Sequence, residues 1–259
     1  MKNLGKKIRM NNIFREDGRT LIFAFDHGAF MDPTKGMENP GQILAQVIEG
    51  GADAVMTTVG VIKTYAASFA RKGLGWILTV LDRSPQTAEK SVSLASKLGV
   101  DAVKFFVTMG GETERNDLEI LWALTTVAEE YGMPVLAEMY PIKTEKNPDP
   151  LSAENIKKVS RIGAEYGADF IKTFYTGSVE SFRTVVSACP VPVVVLGGEK
   201  TASDLDLLHA VFYSVRAGGA GAAIGRNIFD HVNPKAMTKA LSMVIHDAVA
   251  PEQALAQVK

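Results

Sequence analysis

Eight short apolar runs, separated by segments of helix length, constrain this chain more than any other feature it has. The runs are Thr20–Phe25, Ala54–Thr57, Trp76–Val80, Ala102–Val107, Pro134–Met139, Asp169–Phe174, Pro192–Leu196 and Gly221–Gly225. Most are rich in β-branched or aromatic residues. Their apolar character is continuous rather than alternating, which suits strands buried on both faces, as in a parallel sheet. Between them, apolar residues recur at spacings near three and four in Pro40–Gly50, Thr87–Leu98, Leu118–Tyr131, Ala153–Tyr166 and Ser203–Ala217. Strand–helix alternation eight times over predicts an α/β fold, the (β/α)8 TIM barrel. The chain's 259 residues suit one such barrel, which commonly takes about 250. Residues 1–259 are read as one domain, with 1–19 an N-terminal extension across the barrel bottom.

A smaller regularity agrees with this. Gly-Ala-Asp stands at 51–53 and again at 167–169, with Gly99-Val100-Asp101 a close variant. Each follows a helix and precedes a strand, and glycine suits a helix C-terminus. These are turns of the barrel face that carries stability, so their aspartates are read as structural. The polar stretch Thr144–Pro150 reads as a long loop after the fifth strand rather than a linker.

Composition removes several classes of function. Net charge is −1 with no basic face, which argues against nucleic acid, whose binding relies on clustered Lys and Arg. Cys189 is the only cysteine, so neither an internal disulfide framework nor a Cys-rich zinc site is available. The histidines at 27, 209, 231 and 246 show no metal-ligand spacing. The N-terminus is basic without an apolar run, unlike a signal peptide. No stretch reaches the roughly 18 apolar residues that would span a membrane. A cytoplasmic location is expected. Segment 218–225 looks superficially like a dinucleotide fingerprint, but it comes late and lacks a following acidic ribose ligand. Exposed apolar helix residues suggest a homo-oligomer. Segment 248–259 either covers a neighbour or frays.

Barrel chemistry sits at the C-terminal strand ends, and those ends carry reactive groups. The first ends in Phe25-Asp26-His27-Gly28 and the fourth contains Lys104; the fifth runs through Glu138-Met139-Tyr140-Pro141. Lys172 lies in the sixth, Gly197-Gly198-Glu199-Lys200 close the seventh, and Gly225-Arg226-Asn227 the eighth. A lysine in an apolar strand is costly to keep charged, and desolvation favours the neutral amine. Such an amine can attack a ketone and form an iminium, an electron sink. Lys104 has the same context, and the residues alone leave the two lysines level. The second would press electrostatically on the first or bind a substrate oxygen. A snorkelling or ion-paired lysine is the bland alternative. Asp26 is placed to shuttle protons or hold a hydroxyl, or else is a turn residue. Tyr140 either donates a proton or plugs the barrel mouth. His27 assists or packs. Gly197, Gly198, Gly225 and Arg226 stand where barrels often hold a phosphate on backbone N–H groups.

At these residues the chain resembles the DhnA-type, or archaeal-type, class I fructose-bisphosphate aldolase family, with its heptulosonate synthase and autoinducer-2 thiolase branches. The likeness rests on Phe25-Asp26-His27-Gly28, Met139-Tyr140-Pro141, Ala168–Thr173, Pro190–Val193 with Gly197-Gly198, and Gly225–Phe229. It implies Lys172 as the Schiff-base lysine, which separates it from Lys104. It implies Asp26 and Tyr140 as acid–base partners, and Gly197, Gly198, Gly225 and Arg226 around a substrate phosphate; His27 and Lys104 are read from their placement as further binding groups. It implies neither a metal nor a cofactor, since the iminium replaces the metal as electron sink. Two departures concern the substrate. Family members often have Tyr-Pro-Arg-Gly where this chain has Tyr140-Pro141-Ile142-Lys143, and the first loop, Phe30–Gly36, looks closer to the synthase and thiolase branches. The expected reaction is reversible aldol cleavage of a phosphorylated ketose, first of all fructose 1,6-bisphosphate. Synthesis of 2-amino-3,7-dideoxy-D-threo-hept-6-ulosonate, acyl transfer to coenzyme A from a phosphorylated diketone, and a non-catalytic sugar-phosphate-binding barrel are the alternatives.

Overall fold

A computed structural model of the chain describes residues 3–31, 36–70, 73–145 and 147–258. The first-loop positions Asp32–Lys35, and Lys146 in the loop after the fifth strand, lie outside the described residues. Eight parallel strands close on themselves in chain order. They are β1 (Thr20–Phe25), β2 (Ala54–Thr57), β3 (Gly75–Thr79), β4 (Ala102–Met109), β5 (Val135–Pro141), β6 (Phe170–Thr173), β7 (Val193–Leu196) and β8 (Gly221–Ile224). The helices are α1 (Leu4–Ile13), α2 (Pro40–Glu49), α3 (Val59–Tyr65), α4 (Ala88–Leu98), α5 (Glu114–Glu130), α6 (Ala153–Glu165), α7 (Val179–Ala188), α8 (Asp204–Arg216), α9 (Arg226–Phe229), α10 (Pro234–His246) and α11 (Pro251–Ala256). The expected (β/α)8 barrel is therefore the fold. Strand ends differ from the sequence reading by a residue or two, as flanking Asp169, Pro134 and Pro192 fall in the turns.

Each strand's two faces feed two separate cores, the reason its sequence is continuously apolar. Outward residues such as Phe23, Val55, Leu78, Phe105, Val135, Ile171, Val195 and Ile224 meet the helices. Inward residues Ile22, Ala54, Ile77, Ala102, Leu136, Phe170, Val194 and Ala223 fill the barrel. α1 stoppers the bottom: Ile13 joins the inward cluster, and the Phe14 ring meets Phe170 edge-on at 5.5 Å.

The repeated turns have a shared construction. Gly51, Gly99 and Gly167 all take positive φ (99°, 71° and 90°), a region that glycine enters without a Cβ penalty. The aspartate two residues on then accepts a backbone N–H from the start of the preceding strand. Asp53 accepts from Leu21 at 2.7 Å, Asp101 from Trp76 at 2.9 Å and Asp169 from Val135 at 2.8 Å. The N-terminal segment binds all three: Arg15 to Asp53 at 2.5 Å, Asn12 to Asp101 at 2.7 Å and Lys6 to Asp169 at 3.0 Å. At the other end of the chain, α11 packs on α8 and α10, with His209 2.8 Å from Glu252. No described helix is long and apolar enough to cross a membrane.

Candidate active site

Side chains two apart on a strand share a face, so the inward apolar layer dictates what stands above it. Two residues beyond Ala24, Ile77, Ala102, Leu136 and Phe170 come Asp26, Thr79, Lys104, Glu138 and Lys172. All five are buried, with Lys172 6% exposed and Lys104 2%. They form one chain of contacts across the barrel. Lys172 Nζ lies 2.7 Å from Glu138 Oε1, and Lys104 Nζ lies 2.7 Å from Glu138 Oε2 and 3.1 Å from Asp26 Oδ2. Thr79 Oγ1 donates to the same Asp26 oxygen at 2.8 Å. Glu138 and Lys172 are register partners on neighbouring strands, which is why their side chains meet.

Two carboxylates and two ammonium groups nearly cancel, which makes their burial tolerable. Burial alone would push the Asp26 carboxyl up, but Lys104 and Lys172 outweigh it and hold the group down at about 2. Glu138 follows the same logic: burial raises it, the two lysines overcome that, and it too lies below the ordinary carboxylate range. For Lys104, burial works against the charge while Glu138 and Asp26 more than restore it, so its ammonium is held above the usual lysine range. Of the two readings left open for these lysines, the carboxylate-paired one describes their surroundings. Lys172 is buried but has a carboxylate against it, an acceptor already in place for its proton. Lys104 differs in being gripped by two carboxylates at once.

The next layer, a further two residues up, is aromatic. The Tyr140 ring sits between Phe106 at 5.2 Å and Phe174 at 4.9 Å. Phe30 is exposed at the end of the first turn, with its ring 5.9 Å from Lys104 Nζ. Tyr140 thus borders the mouth directly above Glu138.

The glycine-rich ends of β7 and β8 lie side by side. Gly198 takes φ +61°. A Cβ on Gly225 would stand 2.4 Å from His27 Cε1 and 2.7 Å from the Ala24 carbonyl oxygen, so close packing alone requires glycine there. The His27 ring packs edge-on to Phe229 at 5.1 Å. Its Nδ1, 3.7 Å from Asp26 Oδ1, and the Arg226 Nε are buried without a hydrogen-bond partner among the described residues. Burial pushes the His27 imidazole below its ordinary range; Asp26 pulls the other way, and Lys172 and Arg226 add to the lowering. An anion held here would find an arginine edge and two glycine turns.

All nine sequence-predicted residues therefore stand on the C-terminal side of the barrel, in two adjoining groups: Asp26, Lys104, Tyr140 and Lys172 on one side, His27, Gly197, Gly198, Gly225 and Arg226 on the other. Glu138 was not among them, although it makes the ionic chain continuous. Its signal was available: it lies two residues before Tyr140, hence on the same face. Thr79 and Asn227 were also missed. Surface clefts also lie elsewhere on the described residues. One of about 770 Å3, lined by Gly110, Glu114, Asn147 and Lys158, sits outside the barrel between the loops after β4 and β5. It has no buried nucleophile, so the ionic cluster marks the site better than cavity size does.

The chain is similar to known proteins over nearly its whole length. Residues 20–231 match the model of the DeoC/LacD family aldolases. An uncharacterized aldolase of Saccharolobus solfataricus is 33% identical over 99% of this chain and 100% of its own length. A 2-amino-3,7-dideoxy-D-threo-hept-6-ulosonate synthase of Halobacterium salinarum is 35% identical over 99% of this chain and 97% of its own. Among solved structures, an archaeal fructose-1,6-bisphosphate aldolase with its catalytic lysine bound to the carbinolamine of the substrate superposes with a TM-score of 0.80. It is 25% identical, covering 93% of this chain and 99% of that one. With the family model spanning the barrel and near-full-length relatives above 30% identity, the chain belongs to the DeoC/LacD family of class I aldolases.

Proposed function

We propose that Lys172 makes and breaks a carbon–carbon bond in a phosphorylated ketose through a Schiff base. The observation that carries this is the Lys172 ammonium, buried inside the barrel and 2.7 Å from the ionised Glu138. Transfer of one ammonium proton to Glu138 gives the amine. The amine adds to the ketone carbon to give a carbinolamine. Glu138, now protonated, returns its proton to the departing hydroxyl, water leaves, and the iminium remains. Asp26 takes the proton of the hydroxyl on the carbon to be released. The carbon–carbon bond then breaks toward the iminium, leaving an enamine and an aldehyde. Tyr140 borders the mouth, where its hydroxyl can donate a hydrogen bond to that aldehyde oxygen. Protonation of the enamine and addition of water free the second product. Gly197, Gly198, Gly225 and Arg226 receive the phosphate, with His27 behind them, and Lys104 is the cation that Asp26 and Glu138 share.

Fructose 1,6-bisphosphate, giving dihydroxyacetone phosphate and glyceraldehyde 3-phosphate, is the first substrate to test, and the superposable aldolases support it. A transaldol-type synthesis of a heptulosonate is the second reading, favoured by the 35% identical synthases. Borohydride reduction in the presence of each ketose phosphate, followed by peptide mass mapping, tests the mechanism and ranks the substrates. The adduct is expected on Lys172; an adduct on Lys104, or none, overturns the proposal. Parallel reactions with and without coenzyme A separate aldol chemistry from acyl transfer.

A further inference from the structure

Asn227 is 6% exposed and lies in α9, the residue after Arg226. Its amide spans the gap between the ends of β8 and β7. Nδ2 donates to the carbonyl oxygens of Gly197 at 3.2 Å and Glu199 at 3.1 Å. Oδ1 accepts from the Thr201 backbone N–H at 2.9 Å and lies 3.0 Å from the Thr201 hydroxyl, whose one proton also has the Ser203 carbonyl oxygen within reach at 2.9 Å. Two carbonyls on one side and an N–H on the other fix which way the amide points. The three hydrogen bonds made with the two carbonyls and the N–H are all directed into one five-residue loop.

This has a consequence for Gly198, which sits between the two captured carbonyls at φ +61°. A glycine is otherwise the freest residue in a chain. With Gly197 and Glu199 both tied to Asn227, its backbone is held in one conformation. The same loop is tied a second time, where Lys200 Nζ meets Asp230 Oδ2 at 2.8 Å and the Asp230 carbonyl at 3.1 Å. That pair is more exposed and of lesser weight. A buried amide hydrogen-bonded on both its donor and its acceptor side is a rigid tie, and binding groups fixed in advance lose less freedom when the ligand arrives.

We infer that Asn227 is a positioning residue for the phosphate end of the site: it preorganises the Gly197–Gly198 turn against Gly225 and Arg226. It acts through the loop rather than on the substrate. The inference rests on the proposed phosphate grip and is tested separately from the lysine chemistry. Two probes with the same ketone are used for borohydride trapping, dihydroxyacetone phosphate and dihydroxyacetone. Their half-saturating concentrations are compared in the wild-type protein, in Asn227→Asp and in Thr201→Val. Asn227→Asp keeps the shape but loses both donated hydrogen bonds and turns a carboxylate toward two carbonyls. Thr201→Val removes the hydroxyl that ties the loop to Asn227 Oδ1 and to the Ser203 carbonyl and leaves the amide in place, so it carries the test alone should Asn227→Asp fail to fold.

The wild-type preference for the phosphorylated probe is expected to fall about tenfold in Asn227→Asp, the factor that 1.4 kcal/mol of lost binding gives. It should fall by less in Thr201→Val. A merely structural role would weaken both probes alike. Preserved preference in both variants, or a wild type that traps both probes equally, overturns the inference. A wild type that traps neither overturns the Schiff-base proposal itself.

Discussion

Glu138 is the residue on which the site turns, because both lysines lean on it. Replacing it with Gln keeps the volume and removes the base, and kcat is expected to fall by about 10²–10⁴, the range typical of a positioned general acid–base group. Steady-state assay and a slowed borohydride trapping rate check this. Lys104→Met has a different signature. It leaves two buried carboxylates without their shared cation, and breaking a buried pair typically costs about 3–5 kcal/mol. Thermal unfolding should therefore register Lys104→Met far more than Lys172→Met, which abolishes trapping but leaves Lys104 to hold Asp26 and Glu138. Asp26, Lys104, Tyr140 and Lys172 were all legible in the sequence, since each is a polar residue within or directly after an apolar strand run. Glu138 breaks one too, but only the pairing of β5 with β6 brings it against Lys172. That the two lysines share a carboxylate is a fact of distance across the barrel, which no local pattern carries.

At the scale of elements, the loops at the two ends of the barrel are built on opposite principles. At the bottom, the Gly-x-Asp turns spend their aspartates on strand N–H groups and on the N-terminal segment. Asp101→Ala removes the acceptor for Trp76 N–H and for Asn12. Leaving a buried donor unmet costs about 1–3 kcal/mol, to be seen as a lowered Tm with trapping at Lys172 retained. Ile13→Ala opens the interior cluster and should cost about 2–5 kcal/mol in chemical denaturation. The repeat was visible as a sequence regularity and its turn role was readable from Gly beside a helix end. That one N-terminal segment engages three such aspartates was not, because Lys6, Asn12 and Arg15 have no periodicity that points at positions 169, 101 and 53. At the top, by contrast, the short α9 brings Arg226 and Asn227 directly after β8, beside the β7 glycines. Motif placement suggested that neighbourhood, but the amide's hydrogen bonds needed the folded loop.

For the whole molecule, the charged layer inside the barrel sets a pH dependence. Asp26, at about 2, and Glu138 are both more acidic folded than unfolded. As pH falls, the unfolded chain takes up protons first. The stability these two contribute is thus complete above the ordinary carboxylate range, about 4, and is lost as pH drops toward 2. Lys104 has the opposite sense: its raised value stabilises the fold below the ordinary lysine range, and that contribution fades as pH rises through the folded value. Asp26→Asn should accordingly flatten the fall in stability between pH 5 and 2, measured by denaturant unfolding across that range; an unchanged slope would refute the linkage. The sequence by itself determined the barrel, its strand order and which strand ends carry reactive groups, because continuous apolar runs and alternating periods are local properties. Only the tertiary structure decided which of those groups touch. Closing the sheet brings inward residues of β1, β3, β4, β5 and β6 into one buried layer, where burial and opposite charge compete at distances under 4 Å, and that balance exists only once the barrel is closed.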